Sequence, residues 1–329
     1  MTLPEQAEAA ACGKVILLGE HAVVYGVPAI VAGIDRGAKA VATRRASGPS
    51  ELSLGGDTFA ADPEGKDDRA RAFAALLAVE PALGPVSVEA RSDLPAGGGL
   101  GSSAALAVAI SRAAEALAVR TGESVEAREA RVLERAAAWE RVFHGNPSGV
   151  DAMAAARGGC FRFQRGEEVR PIAPRADLVV CVGSTGKPSS TRETVGLIAS
   201  LRARRPEVVD RSIEAIGVLV KNATLAIEAG DLRAVGSFMD LNQMLLTGLW
   251  VSTADLDYMC ELARGAGALG AKLTGGGGGG SVIALVPPAT TKDEAEGAQR
   301  ILDAWKRAGF DGFVARIPAG TPNRSGGSA

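Results

Sequence analysis

Cysteine is sparse: the 329 residues hold four, Cys12, Cys160, Cys181 and Cys260, far apart and without a C-x-x-C pair. That spacing argues against a zinc site or a dense disulfide framework and leaves buried thiols as the expectation. Histidine is rarer still, with only His21 and His144. A charge excess is missing too, since 36 Lys plus Arg face 38 Asp plus Glu, so no global attraction to nucleic acid or an anionic membrane is implied. No apolar run approaches the roughly 18 residues of a membrane span. The start, Met1-Thr-Leu-Pro-Glu-Gln-Ala-Glu8, carries no basic leader, so a cytoplasmic location is expected. Apolar residues make up 47% of the chain, enough for a large core and, at this length, two domains.

Glycine is abundant and concentrated. The run Asp93-Leu-Pro-Ala-Gly-Gly-Gly-Leu-Gly-Ser-Ser-Ala-Ala105 lies between Val86–Arg91, which alternates apolar and polar residues as a half-buried strand does, and Leu106, Ile110, Ala113, Ala114 and Leu117 at helical spacing. A loop nearly free of side chains thus feeds a helix N-terminus, with Ser102 or Ser103 as the expected cap. Converging N–H groups and the positive dipole end suit a phosphate; a tight structural turn is the plainer reading. Two common phosphate loops do not fit: no Lys follows Gly101, and Ser102 stands where a dinucleotide fingerprint needs a third glycine.

Gly13–Gly19 reads as a short apolar strand with Lys14 at its start and Glu20-His21 just beyond its end. Alternating stretches at 38–43 and 51–54 suit an antiparallel sheet, and 69–79 suits a helix. In 124–143 the stripe Val125, Val132, Leu133, Ala136, Trp139 and Phe143 marks a strong helix that ends at His144-Gly145. Glu140 and His144 share a face in its last turn. A carboxylate is unfavourable there, which leaves a divalent cation or a salt bridge with Arg141 to account for Glu140. Asp151 leaves the constrained turn His144-Gly-Asn-Pro-Ser-Gly-Val-Asp151, fixed in direction or simply placed near a helix N-terminus.

Strands are expected at 160–163 and 178–183, a capping box at Ser190 and Glu193, and helices at about 208–229, 232–247 and 254–264. Ala271–Val286 sets six consecutive glycines between two strand-like runs. A helix at about 292–308 and a strand at 312–317 follow, with 319–329 as a disordered tail.

Three of these segments, taken together, resemble the GHMP kinases, and among them the mevalonate kinases: Gly19-Glu-His-Ala-Val-Val-Tyr-Gly26, Pro95-Ala-Gly-Gly-Gly-Leu-Gly-Ser-Ser-Ala-Ala105 and Lys272-Leu-Thr-Gly-Gly-Gly-Gly-Gly-Gly280, with His144–Asp151 as a further match. The family's usual alanine after T-G is Gly276 here. The resemblance spans Ala11 to Ile317 and implies a mixed α/β (α+β) two-domain GHMP kinase fold. Residues 1–172 would form a ribosomal-protein-S5-like N-terminal domain and 173–318 a C-terminal α+β domain, with the site between them. It implies ATP-dependent phosphorylation of the 5-hydroxyl of mevalonate in isoprenoid precursor synthesis, with Mg2+ as cofactor and no nucleic acid or membrane partner. A homodimer is compatible with it.

By the same resemblance, Asp151 and Lys14 are catalytic, and Glu20, His21 and Thr191 face the acceptor, with Lys187 and Ser190 as weaker candidates. Pro95, Gly97, Gly98, Gly99, Leu100, Gly101, Ser102, Ser103 and Ala104 wrap the nucleotide phosphates. Ser102 and Glu140 hold the metal, Ser103 being the second choice. A phosphomevalonate or homoserine kinase is the nearest alternative, and a nucleotide-binding sensor without turnover is the alternative from another class.

Overall fold

The computed structural model describes residues 4–118, 122–145, 148–288 and 291–320. Asn146 and Pro147 of the His144–Asp151 segment, and 321–329 of the expected tail, lie outside the described residues.

The first half is a seven-stranded sheet backed by helices. Strand β1 (Gln6–Leu18) pairs antiparallel with β2 (Ala29–Arg44). Strands β3 (Glu51–Leu54) and β4 (Asp57–Ala60) form a hairpin, followed by helix α1 (Asp68–Ala78) and strand β5 (Val86–Ser92). Helices α2 (Ser102–Leu117), α3 (Val125–His144) and α4 (Val150–Arg157) lead to β6 (Cys160–Phe163) and β7 (Arg170–Ile172). The sheet order is β4-β3-β5-β2-β6-β7, with β1 also on β2. Helix α2 lies on β1 and β2, and α3 packs against α1 and α2.

Strand β1 is longer than the apolar run Gly13–Gly19 announces. Residues 6–12 are alanine-rich and lack the β-branched residues that mark strands, and they become strand by pairing in register with 37–43. The long β2 brings Gly37 against β1 so closely that a Cβ there would lie 1.9 Å from the Ala11 carbonyl. The register shift of β1 between Cys12 and Gly13 falls opposite this approach.

The chain crosses from the first sheet at Ile172 to the second at Leu178. Strand β8 (Leu178–Ser184) is followed by α5 (Thr191–Arg204), α6 (Pro206–Ala229), α7 (Leu232–Gly248) and α8 (Ala254–Gly265). Strands β9 (Gly270–Thr274) and β10 (Ser281–Leu285), helix α9 (Thr291–Arg307) and β11 (Asp311–Ile317) complete it. The order β11-β8-β10-β9 is antiparallel throughout. One buried apolar cluster runs from Val15 and Leu17 through Phe73, Ile110 and Trp139 to Val180, Ile283 and Trp305, so the halves share a core. Among the described residues, no helix is long and apolar enough to cross a membrane.

Helix α7 ends in a left-handed residue, as helices often do, but that residue is Trp250 rather than glycine, with φ of 66°. Its amide bonds the Thr247 carbonyl and that of Val251 bonds Leu246, so the turn is made despite the side chain. The ring is 72% exposed and has little packing to lose. Trp250→Gly is therefore expected to stabilise the protein by about 1 kcal/mol, because the left-handed strain outweighs the entropy glycine adds to the unfolded chain. A raised urea midpoint at unchanged slope is the expected reading, and a lowered one would show that the ring packs productively.

Candidate active site

Helix α2 begins without help from either serine. Gly101, at φ 73°, is its N-cap, and no side chain bonds the first amides; the expected Ser102 or Ser103 cap is thus corrected, since both serines lie inside the first turn. Gly97, Gly99 and Gly101 all have positive φ, and the loop's carbonyls are turned into the protein. Gly97 O accepts from Ser189 N, Gly98 O from Ser281 Oγ, Gly99 O from Lys14 Nζ and Leu100 O from Lys14 N, at 2.8–3.0 Å. With its carbonyls occupied and its helix uncapped, the loop offers amides and a positive dipole end to an anion.

Helix α4 begins the same way. Gly149, at φ 78°, is its N-cap and supplies no side-chain bond, the first amide, Val150 N, reaching only the preceding Ser148 Oγ at 3.5 Å, and Asp151 lies in its first turn. Lys14 joins the two helix ends. Its ammonium lies 3.2 Å from Asp151 Oδ1 and donates to Gly99 O at 2.9 Å. Lys14 is buried, whereas the Asp151 side chain is 41% exposed. A Cβ on Gly101 would lie 3.0 Å from Lys14 Cγ, so the lysine stem packs against the bare glycine.

The structure separates the two serines. Ser103 Oγ donates to Glu140 Oε1 at 2.5 Å, whereas the Ser102 hydroxyl pairs with Ser92 Oγ at 2.9 Å. Of the two serines expected at the metal, Ser103, the second choice, is the one that meets Glu140, because successive residues at a helix start point about 100° apart and only one faces α3. Glu140 Oε2 lies 3.6 Å from His144 Nε2. Burial raises the Glu140 pKa above the usual carboxylate range, while the Ser103 hydrogen bond and the neighbouring His144 oppose the shift. The positive end of α2 beside it offsets the unfavourable end of α3.

On the other side, the turn after β1 is held from the second half of the chain. Thr274 Oγ1 accepts from Ile16 N at 2.9 Å and donates to Ile16 O at 3.2 Å. Gly19 N reaches Asn242 Oδ1 at 3.4 Å. Glu20 is fully buried and paired with the equally buried Lys272, so it faces a lysine of the second sheet rather than an open pocket. Burial pushes the Glu20 carboxyl up and the Lys272 ammonium down, each partly restored by the other's charge. His21 adopts φ 61°, and its Nε2 lies 2.8 Å from the Gly276 carbonyl. A carbonyl only accepts, so Nε2 carries the proton and Nδ1 is left as an acceptor.

Thr191 opens α5 behind the expected Ser190 cap, which accepts from Glu193 N. The Thr191 hydroxyl lies over Gly276, where a Cβ would come within 2.7 Å of it. Lys187 pairs with Asp255 at the surface.

The chain's first half matches the family described as GHMP kinases N terminal domain over residues 70–159, and its second half the GHMP kinases C terminal family over 223–311. The mevalonate kinase of Pyrococcus abyssi is 33% identical over 339 residues, covering 96% of each chain. That of Aeropyrum pernix is 36% identical over 283 residues, 82% of this chain and 85% of the relative. The chain belongs to the mevalonate kinase family of GHMP kinases. Among solved structures, L. major mevalonate kinase in complex with R-mevalonate superposes with a TM-score of 0.80 at 30% identity, covering 95% of this chain and 96% of that one. Lactococcus lactis galactokinase complexed with galactose, at TM-score 0.76 and 19% identity over 96% of this chain and 95% of that one, shares the fold.

In this GHMP kinase three site-adjacent residues escape motif reasoning. Trp139 counts in the sequence only as part of an apolar stripe, yet its Nε1 donates to Ser103 Oγ at 3.1 Å. Asn242 lies inside a long amphipathic helix and carries no local signal. Lys272 is visible as part of a glycine-rich segment but not as the partner of Glu20, 252 residues away.

His21 gives the site a measurable acid limit. Burial lowers its pKa from 6.5 to about 4, only partly offset by its bond to the Gly276 carbonyl. The unfolded chain then binds the extra proton first, so stability falls as pH drops from about 6.5 to about 4. The loss amounts to about 3 kcal/mol and levels off below that window. Urea unfolding of the natural chain and of His21→Gln across this range checks it: the two stability curves should converge with acidification, and parallel curves would remove His21 as the cause.

Proposed function

We propose that the chain transfers the γ-phosphoryl group of ATP to the 5-hydroxyl of mevalonate, giving 5-phosphomevalonate and ADP. The single observation that carries this reading is Lys14, whose ammonium reaches both the Asp151 carboxylate and the glycine loop at the start of α2. Donor and acceptor sides therefore meet at one buried cation. Phosphoryl transfer is chiefly a matter of in-line placement and charge neutralisation. The glycine loop with the start of α2 takes the ATP phosphates. Lys14 favours negative charge between loop and acceptor, and Asp151 orients the 5-hydroxyl and receives its proton. His21 Nδ1 and the Thr191 hydroxyl face the acceptor, while Glu20 acts from behind through the turn it anchors.

Ser103 and Glu140 fit Mg2+. They are a hydroxyl and a buried carboxylate, both hard oxygen donors, and among the described residues no group of three or more His, Cys, Asp or Glu could hold a metal. Such a pair suits an ion that keeps waters and phosphate oxygens as its other ligands. Mg2+ would neutralise charge on the transferring phosphate. ATP as donor fits a cytoplasmic setting.

The alternative acceptor phosphomevalonate carries an additional phosphate. Lys14, Lys187 and Lys272 each pair with a carboxylate, and His21 is neutral at physiological pH. Of the cations considered for the acceptor, Arg192, exposed beside Thr191, is the one left for an anionic group, which favours a singly charged acceptor. A coupled ADP-release assay with mevalonate, phosphomevalonate and homoserine tests the reading: mevalonate should turn over fastest, and preference for another alcohol would reject it.

Asp151→Asn and Lys14→Met should each lower kcat by about 10²–10⁴-fold with thermal unfolding unchanged; near-native turnover would remove either residue from the chemistry. Glu140→Gln should raise the Mg2+ concentration needed for half-maximal rate, and an unshifted titration would exclude it as a ligand.

A further inference from the structure

Trp139 is 2% exposed, with its ring 5.7 Å from that of Phe143. A buried indole still carries an N–H that needs an acceptor, and the acceptor is Ser103 Oγ. That hydroxyl gives its own proton to Glu140 Oε1. An indole N–H only donates and an ionised carboxylate only accepts, so the hydroxyl cannot turn. Its hydrogen points to Glu140 and one of its two lone pairs to Trp139, which leaves a single lone pair for anything else. Ser102 has no such constraint, since either oxygen of its pair with Ser92 could donate.

We propose that Trp139 is a positioning residue for the metal side of the site, its indole N–H fixing the Ser103 hydroxyl so that the remaining lone pair is presented to a cation beside Glu140. This rests on reading Ser103 and Glu140 as the cation-holding pair. Trp139 and Glu140 are adjacent on α3, so one helix supplies both the carboxylate and the group that aims its partner.

Trp139→Phe keeps an aromatic ring against Phe143 and removes the donor together with part of the buried ring volume. Calorimetry gives the ratio of ADP dissociation constants in EDTA and in Mg2+. That ratio should fall by about tenfold to a hundredfold, the range for groups that orient metal ligands, while binding in EDTA stays the same. In a Ser103→Ala background the same substitution should cause no further fall. An unchanged ratio, or an undiminished fall without the Ser103 hydroxyl, would overturn the proposal. Should Trp139→Phe fail to fold, the unsubstituted protein decides it: the Trp139 indole N–H resonance should move when Mg2+ is added to the ADP complex, and a stationary resonance would overturn it. Neither readout needs an acceptor, so failure of mevalonate turnover would sink the proposed substrate and leave this result standing.

Discussion

The buried ion pair between Glu20 and Lys272 is the joint that holds the turn after β1 against the second sheet. Removing two charges from water costs more than their attraction commonly returns, and an apolar pair of similar volume is often at least as stable. Here the pair ties the turn after β1 to β9, beside the Thr274 hydroxyl that takes both backbone groups of Ile16. Lys14 leaves β1 six residues earlier and His21 follows at once. The direction of one strand end thus sets both a cation against the glycine loop and an imidazole against Gly276.

A second constraint is the pair of glycine-capped helix starts. A serine, threonine or aspartate cap ordinarily contributes about 1 kcal/mol, and α1, α3, α5, α7 and α8 all have such a bond. Helices α2 and α4 do without it. The first-turn amides of α2 bond no cap side chain, and in α4 only Val150 N reaches one, at the long distance of 3.5 Å. Helix α6 also lacks a side-chain cap, but it starts on Pro206, which has no amide to satisfy.

Much of this was legible in the sequence because its signals are local. The 124–143 stripe, the Ser190 cap and the strand–glycine–helix passage at 86–117 depend on neighbours within a few residues, and the elements appear within a few residues of where periodicity puts them. Asp151 and Lys14 stand out because each adjoins a constrained turn or a strand end. What could not be read was long-range: residues 6–12 become strand only through their pairing with β2, and the pairing of Glu20 with Lys272 has no local signal. The choice between Ser102 and Ser103 depends on which face of α2 meets α3, which no spacing within the loop encodes.

The cross-seam hydrogen bonds also bear on modularity. The chain passes from one sheet to the other between Ile172 and Leu178, where a cut looks natural. Yet a fragment ending there would carry Glu20 without its lysine and Ile16 without the threonine hydroxyl, and the remainder would expose Lys272 and the apolar faces of β8 and β10. Each half thus keeps buried groups whose partners lie in the other, and a cut at this crossing separates them all at once.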